Sequence, residues 1–511
     1  MLKPLQRHRF YYGLIPLLAG VTMGLTPAPV NAFPLAWVAL IPLWRWGQLG
    51  SWRQAAWYGL LWGVGYHGLA LAWITGIHPM TWLGVSWWNS IAIAIFAWSF
   101  ITLWGAALVA LWALLFNQLQ PTHNKTLSGS LWRVLLGTTL WCGLEVIWRA
   151  TPLWWSSLAY TQSPHNLLIL HLGQLSGTTA VTAALVCVNG LLAEALASRH
   201  RQTLLTLALS SCLLFHGFGW TLYRQPLAQD NPIRVGIIQG NIANDIKLSA
   251  TGWRKALTGY TDGYLQLVEQ GAEVVLTPET ALPFYWEDIT RQQQSFYQTV
   301  KQQGIPAWLG AYGKVGQNYT NSLFTLTGDG ETLSQYDKVK LVPLGEYIPL
   351  QNLLGSFIDR LSPLDAHLIP GQPSQVFDTP FGRAIVGICY ESAFDYHFQR
   401  QTRRGGEFIL TASNNAHYSE TMPAQHHALD VMRAIESDRW AARATNTGYS
   451  AIVTPHGQAL WRSGINTYET HLGTIHRRTT QTFYGRWGDW LIWVFLAVTG
   501  LLWVIQFRQK G

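Results

Sequence analysis

The sequence predicts a multi-span α-helical membrane domain, then a large α/β domain, then a final membrane helix. Three observations carry this. Of the 511 residues 49% are hydrophobic and only 12% charged, the uncharged stretches cluster at the two ends, and the segment between them switches to short β-branched runs. A soluble domain carries about a quarter of its residues as Asp, Glu, Lys and Arg, so half that level requires long stretches without charge.

Apolar runs fall at 10–25, 33–46, 54–74, 89–116, 131–148, 167–197 and 204–222, with an eighth at 490–507. Crossing the hydrocarbon core takes roughly 20 apolar residues, a length the third, fourth, sixth and eighth runs supply most fully. The first two are short and interrupted by Pro16, Pro34 and Pro42, which leaves a broken or re-entrant pair open there. Lys3, Arg7 and Arg9 before the first run suit a cleaved signal as well as an anchor, and the spans that follow favour the anchor. Arg45, Arg53, Lys125, Arg133, Arg199, Arg201, Arg508 and Lys510 occupy alternate connections, whereas 76–88 has neither Lys nor Arg. The positive-inside rule then makes the basic connections cytoplasmic and the long segment extracytoplasmic. The expected division is 1–222, 223–489 and 490–511. The net charge of +8 belongs to this topology signal rather than to nucleic-acid binding.

Within 223–489, strand candidates are 234–242, 273–276, 307–312, 322–327, 384–389, 408–412 and 450–454. Helix candidates at 251–270, 288–303 and 425–440 show apolar residues three and four apart. The alternation argues for layers, and several strands read as continuous apolar runs, as they would with both faces covered.

Of four cysteines, Cys142, Cys187 and Cys212 fall in spans and Cys389 alone in the large domain. A thiol there is either a small buried hydrophobe or a nucleophile. Three strand ends bring chemistry together: Val274-Val275-Leu276-Thr277-Pro278-Glu279 delivers a carboxylate, Gln335-Tyr336-Asp337-Lys338 an ammonium, and Ile388-Cys389-Tyr390-Glu391 the thiol. Loops at the carboxyl ends of strands are where α/β folds collect functional groups. Each residue alone also suits a bland role, a solvated acid, a surface lysine or a core thiol.

Together these strings resemble the nitrilase-like superfamily of carbon–nitrogen hydrolases with its Glu-Lys-Cys triad, and most closely its membrane branch, the apolipoprotein N-acyltransferases. The resemblance rests on Thr277-Pro278-Glu279-Thr280-Ala281, on the run from Lys338 through Glu346 and Tyr347 to Pro349, and on Gly387-Ile388-Cys389-Tyr390-Glu391. Gln239-Gly240-Asn241, Arg443-Ala444-Thr445-Asn446-Thr447-Gly448 and Tyr484-Gly485-Arg486-Trp487 extend it. It implies an α-β-β-α sandwich facing the periplasm of a bacterial inner membrane, with Glu279, Lys338 and Cys389 as triad and Glu346 as a second glutamate. Tyr390, Glu391 and Asn321 would support them. It also implies a phospholipid acyl donor, a diacylglyceryl apolipoprotein acceptor, and no cofactor; no His/Cys cluster has metal-ligand spacing either. Glu145 and Arg149, four apart on one helix, fit an acid–arginine pair that could serve a lipid headgroup or the helix itself. Residues 350–361, with Leu353, Leu354, Phe357, Ile358 and Leu361, suit an amphipathic arm on the bilayer or a packed core segment. Two departures stand out: Leu248 where the family has tryptophan, and Asn415-Ala416-His417 where it has an acid and then tryptophan. A membrane-tethered amidohydrolase shares the triad and remains the alternative.

Overall fold

The computed structural model describes residues 4–120, 126–292, 294–316, 318–343, 345–347, 368–416 and 418–508, with side chains from residue 13 to 505. The candidate arm at 350–361 and His417 lie outside the described residues. The chain forms two compact units, one made of Met1–Thr75, Ala92–Gln225 and Trp487–Gly511, the other of Gly76–Ile91 and Pro226–Arg486.

The first unit is helical: α1 (Pro4–Gly24), α2 (Ile41–Gly47), α3 (Trp52–Ala70), α4 (Trp87–Leu119, entering from the other unit), α5 (Leu127–Arg149), α6 (Leu167–Leu170), α7 (Gly173–Ala195), α8 (Arg201–Tyr223) and a C-terminal helix, Trp490–Arg508. Among the described residues α4, α5, α7 and α8 are long and apolar enough to cross a membrane. This is a multi-pass membrane unit. Helix α3, 19 residues long, falls outside that group although its run reads among the strongest in the sequence, and the C-terminal helix is apolar over Trp490–Ile505. Tyr58, Tyr66, His67 and four glycines dilute the apolarity of α3. The second run is not one helix but the turn of 3-10 helix Phe33–Trp37 followed by α2, each with a proline at its start. The sixth is broken too, into α6 and α7, with Ser176 and Gly177 outside helical backbone geometry.

Aromatic side chains fill the core of this unit. Trp44 packs on Trp112 and Phe116, and its indole N–H donates to Glu194 Oε1 at 3.0 Å. A Cβ on Gly137 or Gly190 would strike the Trp44 ring at 2.3 or 2.7 Å, so glycine lets these helices close over it. Arg133 meets the same Glu194 in a buried ion pair at 2.6 Å.

The second unit is an α-β-β-α sandwich. Its strands are β1 (Pro232–Gln239), β2 (Val274–Leu276), β3 (Ala307–Val315), β4 (Asn318–Leu326), β5 (Thr332–Asp337), β6 (Phe377–Thr379), β7 (Gly382–Ile388), β8 (Phe408–Ser413), β9 (Ala441–Thr445), β10 (Ala451–Val453), β11 (Ala459–Arg462) and β12 (Glu469–His476). They form two six-stranded sheets, ordered β12-β1-β2-β3-β4-β5 and β11-β10-β9-β8-β7-β6. In each, three central strands run parallel and the flanking pairs are antiparallel.

Alternation along the strands makes two cores. Val235, Ile237, Val274, Leu276 and Trp308 meet Val386, Ile388 and Leu410 between the sheets. Ile238, Val275, Leu309 and Phe324 face outward onto α10 (Ala250–Glu269) and α12 (Ser295–Gln303) through Tyr260, Tyr264, Phe296 and Val300. This explains why the strands read as unbroken apolar runs. Helices α13 (Asp395–Arg403) and α14 (Thr421–Ser437) belong to the second sheet's half. The single helix expected over 288–303 is two, α11 (Trp286–Arg291) and α12.

Candidate functional site

Strand β2 ends at Leu276, and Thr277-Pro278 turn the chain so that Glu279 comes off the sheet buried, 7% exposed. The turn is tight. Thr280 sits at φ +44°, and a Cβ on Gly310 would lie 2.0 Å from the Pro278 carbonyl oxygen, so β3 needs glycine where the turn crosses it. In the other sheet β7 delivers Cys389 at φ +52°. A non-glycine residue held there costs about 1–3 kcal/mol, which its surroundings must offset.

Glu391 does much of that work. Its Oε2 accepts the Ile388 N–H at 2.7 Å, its Oε1 accepts the Val339 and Lys340 N–H groups at 2.6 and 3.1 Å, and the Tyr336 hydroxyl reaches both oxygens. One carboxylate thereby ties the turn carrying Cys389 to the loop carrying Lys338. From the other side, His426 Nε2 lies 2.9 Å from the Cys389 carbonyl oxygen.

Lys338 follows β5 and is 1% exposed. Its Nζ donates to Glu279 Oε1 and to Glu346 Oε1, each at 2.9 Å. Asn321, near the start of β4, donates from Nδ2 to the same two oxygens at 2.7 and 3.0 Å. Glu346 Oε2 accepts the Val342 N–H at 2.8 Å. Cys389 Sγ approaches the Asn414 carbonyl oxygen at 3.7 Å. Glu279, Lys338, Glu346, Asn321 and Cys389 all line one cavity of about 190 Å³, with Trp82, Leu248 and Leu368 on its apolar wall.

Electrostatics follow from burial and this geometry. Burial alone would raise the Glu279 pKa, but the Lys338 ammonium in contact outweighs it and holds the carboxyl below its ordinary value. Burial would likewise lower Lys338, and the two carboxylates reverse that and hold it charged. The Cys389 thiol is pushed up to about 12 by burial and by Glu279, with Lys338 opposing only in part. The resting thiol is thus protonated, and the ionised Glu279 carboxylate lines the same cavity. Among the described residues no group of three or more His, Cys, Asp or Glu side chains could hold a metal ion.

The comparisons with known proteins bear directly on this arrangement. Residues 234–484 match the Carbon-nitrogen hydrolase family, and residues 19–191 match the Apolipoprotein N-acyltransferase N-terminal domain. A protein of Nostoc sp., an apolipoprotein N-acyltransferase, is 55% identical over 495 residues, covering 95% of this chain and 97% of that one. The chain belongs to the apolipoprotein N-acyltransferase family. A second member, from Synechocystis sp., is 49% identical across 95% of this chain and 98% of its own. The α-β-β-α unit is thus the family's nitrilase-like domain.

Not every expected side chain joins the cavity. The Tyr390 ring meets Phe394 edge-to-face with centroids 5.1 Å apart, and the Glu391 carboxylate binds backbone amides rather than facing the cavity. Glu145 and Arg149 each partner elsewhere among the described contacts. Glu145 accepts from Trp141, Ser157, Leu158 and Thr182 at 2.8–3.1 Å, and Arg149 pairs with Asp489 at 2.6 Å. Sequence reasoning missed Lys247, Asn244, Tyr312 and Tyr418, which also line the cavity. Leu248, noted as a departure, does line it and is 40% exposed.

Proposed function

We propose that this chain moves an acyl chain from a phospholipid, through a thioester on Cys389, to the α-amine of a diacylglyceryl-cysteine at the N-terminus of an apolipoprotein. The observation that carries the reading is the Glu279–Lys338–Glu346 cluster lining the same buried cavity as Cys389, in a chain that also bears membrane spans. Two lipid substrates confined to the bilayer give those spans a purpose.

In the first half-reaction Cys389 Sγ attacks the ester carbonyl carbon as Glu279 takes the thiol proton. A thiol with a pKa near 12 is a poor nucleophile until that proton is removed, so base and thiol act together. Lys338 and the Tyr390 backbone N–H donate to the oxyanion. The ester C–O bond then breaks, Glu279 returns the proton to the departing oxygen, and a lysophospholipid leaves. In the second half-reaction the amine attacks the thioester carbon and passes a proton to Glu279. The C–S bond breaks, the amide forms and the thiol is reprotonated. Glu346 and Asn321 hold Lys338 and Glu279 through both steps.

In this reading the catalytic unit lies on the periplasmic side of the inner membrane. The support is the connection 76–88, which has no Lys or Arg and falls within Gly76–Ile91, a part of the catalytic unit. A reporter fused at residue 300 should read extracytoplasmic; a cytoplasmic signal contradicts this orientation. The transfer itself is tested by loading purified full chain with labelled phospholipid and adding either buffer or a diacylglyceryl-cysteine peptide. Label retained in buffer and moved to the peptide supports transfer. Rapid release as free fatty acid would instead favour the amidohydrolase alternative.

A further inference from the structure

The cavity holds a second lysine that the triad does not use. Lys247 ends the single-turn helix α9 (Asn244–Lys247), is 7% exposed, and sits in the cavity wall with Glu279 and Cys389. Its Nζ donates to Thr280 Oγ1 at 2.6 Å and to the Glu279 carbonyl oxygen at 3.2 Å. These are the two residues of the tight turn, one of them a β-branched residue at positive φ. The ammonium therefore grips the strained backbone that aims the candidate base.

The segment bearing Lys247 is itself fixed to the nucleophile's side. Asn414, whose carbonyl oxygen faces Cys389 Sγ, donates from Nδ2 to Asn244 Oδ1 at 3.0 Å. Asn446 exchanges hydrogen bonds with the Ile242 backbone at 2.9 and 2.6 Å, and its carbonyl oxygen accepts the Asn241 N–H at 2.7 Å. Gly240 lets the chain pass there, since a Cβ would lie 1.9 Å from the Tyr260 hydroxyl. The strings around Gly240-Asn241 and Asn446, which the triad leaves unexplained, converge on holding this segment.

Charge gives a second reason. Among the described residues lining the cavity, Lys247 and Lys338 stand against Glu279 and Glu346. Without Lys247 the site carries one net negative charge, which opposes making an anion at sulfur or at the ester oxygen.

We propose that Lys247 is a positioning residue for the base: it clamps the Glu279–Thr280 turn and supplies the positive charge that balances the two carboxylates beside the thiol. The proposal rests on the reading of Cys389 as the acylated nucleophile. The groups that face the Lys247 ammonium are Glu279 and Thr280 beyond β2, Lys338 beyond β5 and Cys389 beyond β7. Burial brings its pKa down to about 8, with Glu279 and Cys389 opposing. Its charge is thus present below that pH and lost above it.

The test is the pH profile of single-turnover acylation, read as lysophospholipid release from a fluorescent phospholipid by full-length protein in detergent. Wild type should lose rate as pH rises through about 8. Lys247→Arg, which stays charged, should keep its rate to pH ~10 whatever its absolute value, with the half-saturating phospholipid concentration within about twofold of wild type. Lys247→Met should be slower at pH 7 by about tenfold or more, the equivalent of one pK unit, and lack the alkaline fall. Thr280→Val, which keeps the charge and removes the hydroxyl clamp, should slow acylation several-fold and leave the alkaline fall in place. If Lys247→Met does not accumulate, the arginine profile decides: an alkaline fall near pH 8 persisting in Lys247→Arg overturns the proposal. Wild-type rates in Lys247→Met do so as well. No acyl-enzyme in wild type, or acylation retained by Cys389→Ala, would instead refute the underlying reading.

Discussion

Two buried carboxylates, one in each unit, show how burial separates anchoring from chemistry. Glu145 in α5 takes four donors, all neutral, divided between its two oxygens. Glu279 takes a cation and an amide on Oε1, has no described partner on Oε2, and faces a cavity that also holds a thiol. A saturated carboxylate fixes backbone and helices in place. An unsaturated one retains an oxygen for a proton. Glu391 belongs with Glu145 in this respect, although it stands two residues from Cys389: three backbone N–H groups and the Tyr336 hydroxyl occupy its two oxygens.

Substitution should separate the two kinds. Glu279→Gln, close to isosteric, should lower acylation of the folded protein by about 10²–10⁴-fold, the usual range for loss of a general base, and also lose the stability of the buried pair with Lys338, which thermal unfolding reads separately. Lys338→Met leaves Glu279 and Glu346 buried without their shared cation, which costs about 3–5 kcal/mol in unfolding experiments and removes acylation with it. Glu391→Gln turns an amide N–H₂ toward backbone N–H donors. A loss of about 1–3 kcal/mol is expected, with acylation falling through displacement of Cys389 and Lys338. Glu145→Gln should destabilise the helical unit by about 1–3 kcal/mol while acylation of the folded protein stays within about twofold. Equal loss of acylation by the folded Glu145→Gln and Glu279→Gln proteins would break the comparison.

The same contrast has a pH signature. Because Lys338 outweighs burial and holds the Glu279 pKa below its ordinary value, the base stays ionised as pH falls through the usual glutamate range. Acylation should persist there and fail only as pH drops through the lowered folded value. The stability linked to Glu279 follows the same sign, fully present above the unfolded glutamate pKa and lost on descent through the folded one. Stopped-flow acylation and thermal unfolding measured against pH check both.

Glu279 and Cys389 were legible because each follows an apolar strand, β2 and β7, where a hydrophobic run gives way to a polar residue; Lys338 follows the mostly polar β5 and stood out only through the string Gln335-Tyr336-Asp337-Lys338. Not every central strand was legible. β9, Ala441-Ala442-Arg443-Ala444-Thr445, lacks an apolar run and directly follows the helix candidate at 425–440, and its parallel pairing with β8 and the left-handed Asp438 that stops α14 make it a strand. Lys247 was illegible for a different reason. It lies on one helical turn with no periodicity, and its importance arises from contacts with residues 32 and 33 positions away. For Glu145 and Arg149 the spacing did not reveal the partners that come from other segments, Ser157 and Thr182 for the one and Asp489 for the other.

The central claim is that an acyl group rests on Cys389 between donor and acceptor. The most direct measurement is peptide mapping by mass spectrometry of full-length protein quenched in acid after exposure to phospholipid alone. The account predicts one added acyl mass on the peptide containing Cys389, discharged by hydroxylamine and absent from Cys389→Ala. An acyl group mapped to another residue, or lysophospholipid released by Cys389→Ala at the wild-type rate, would contradict it.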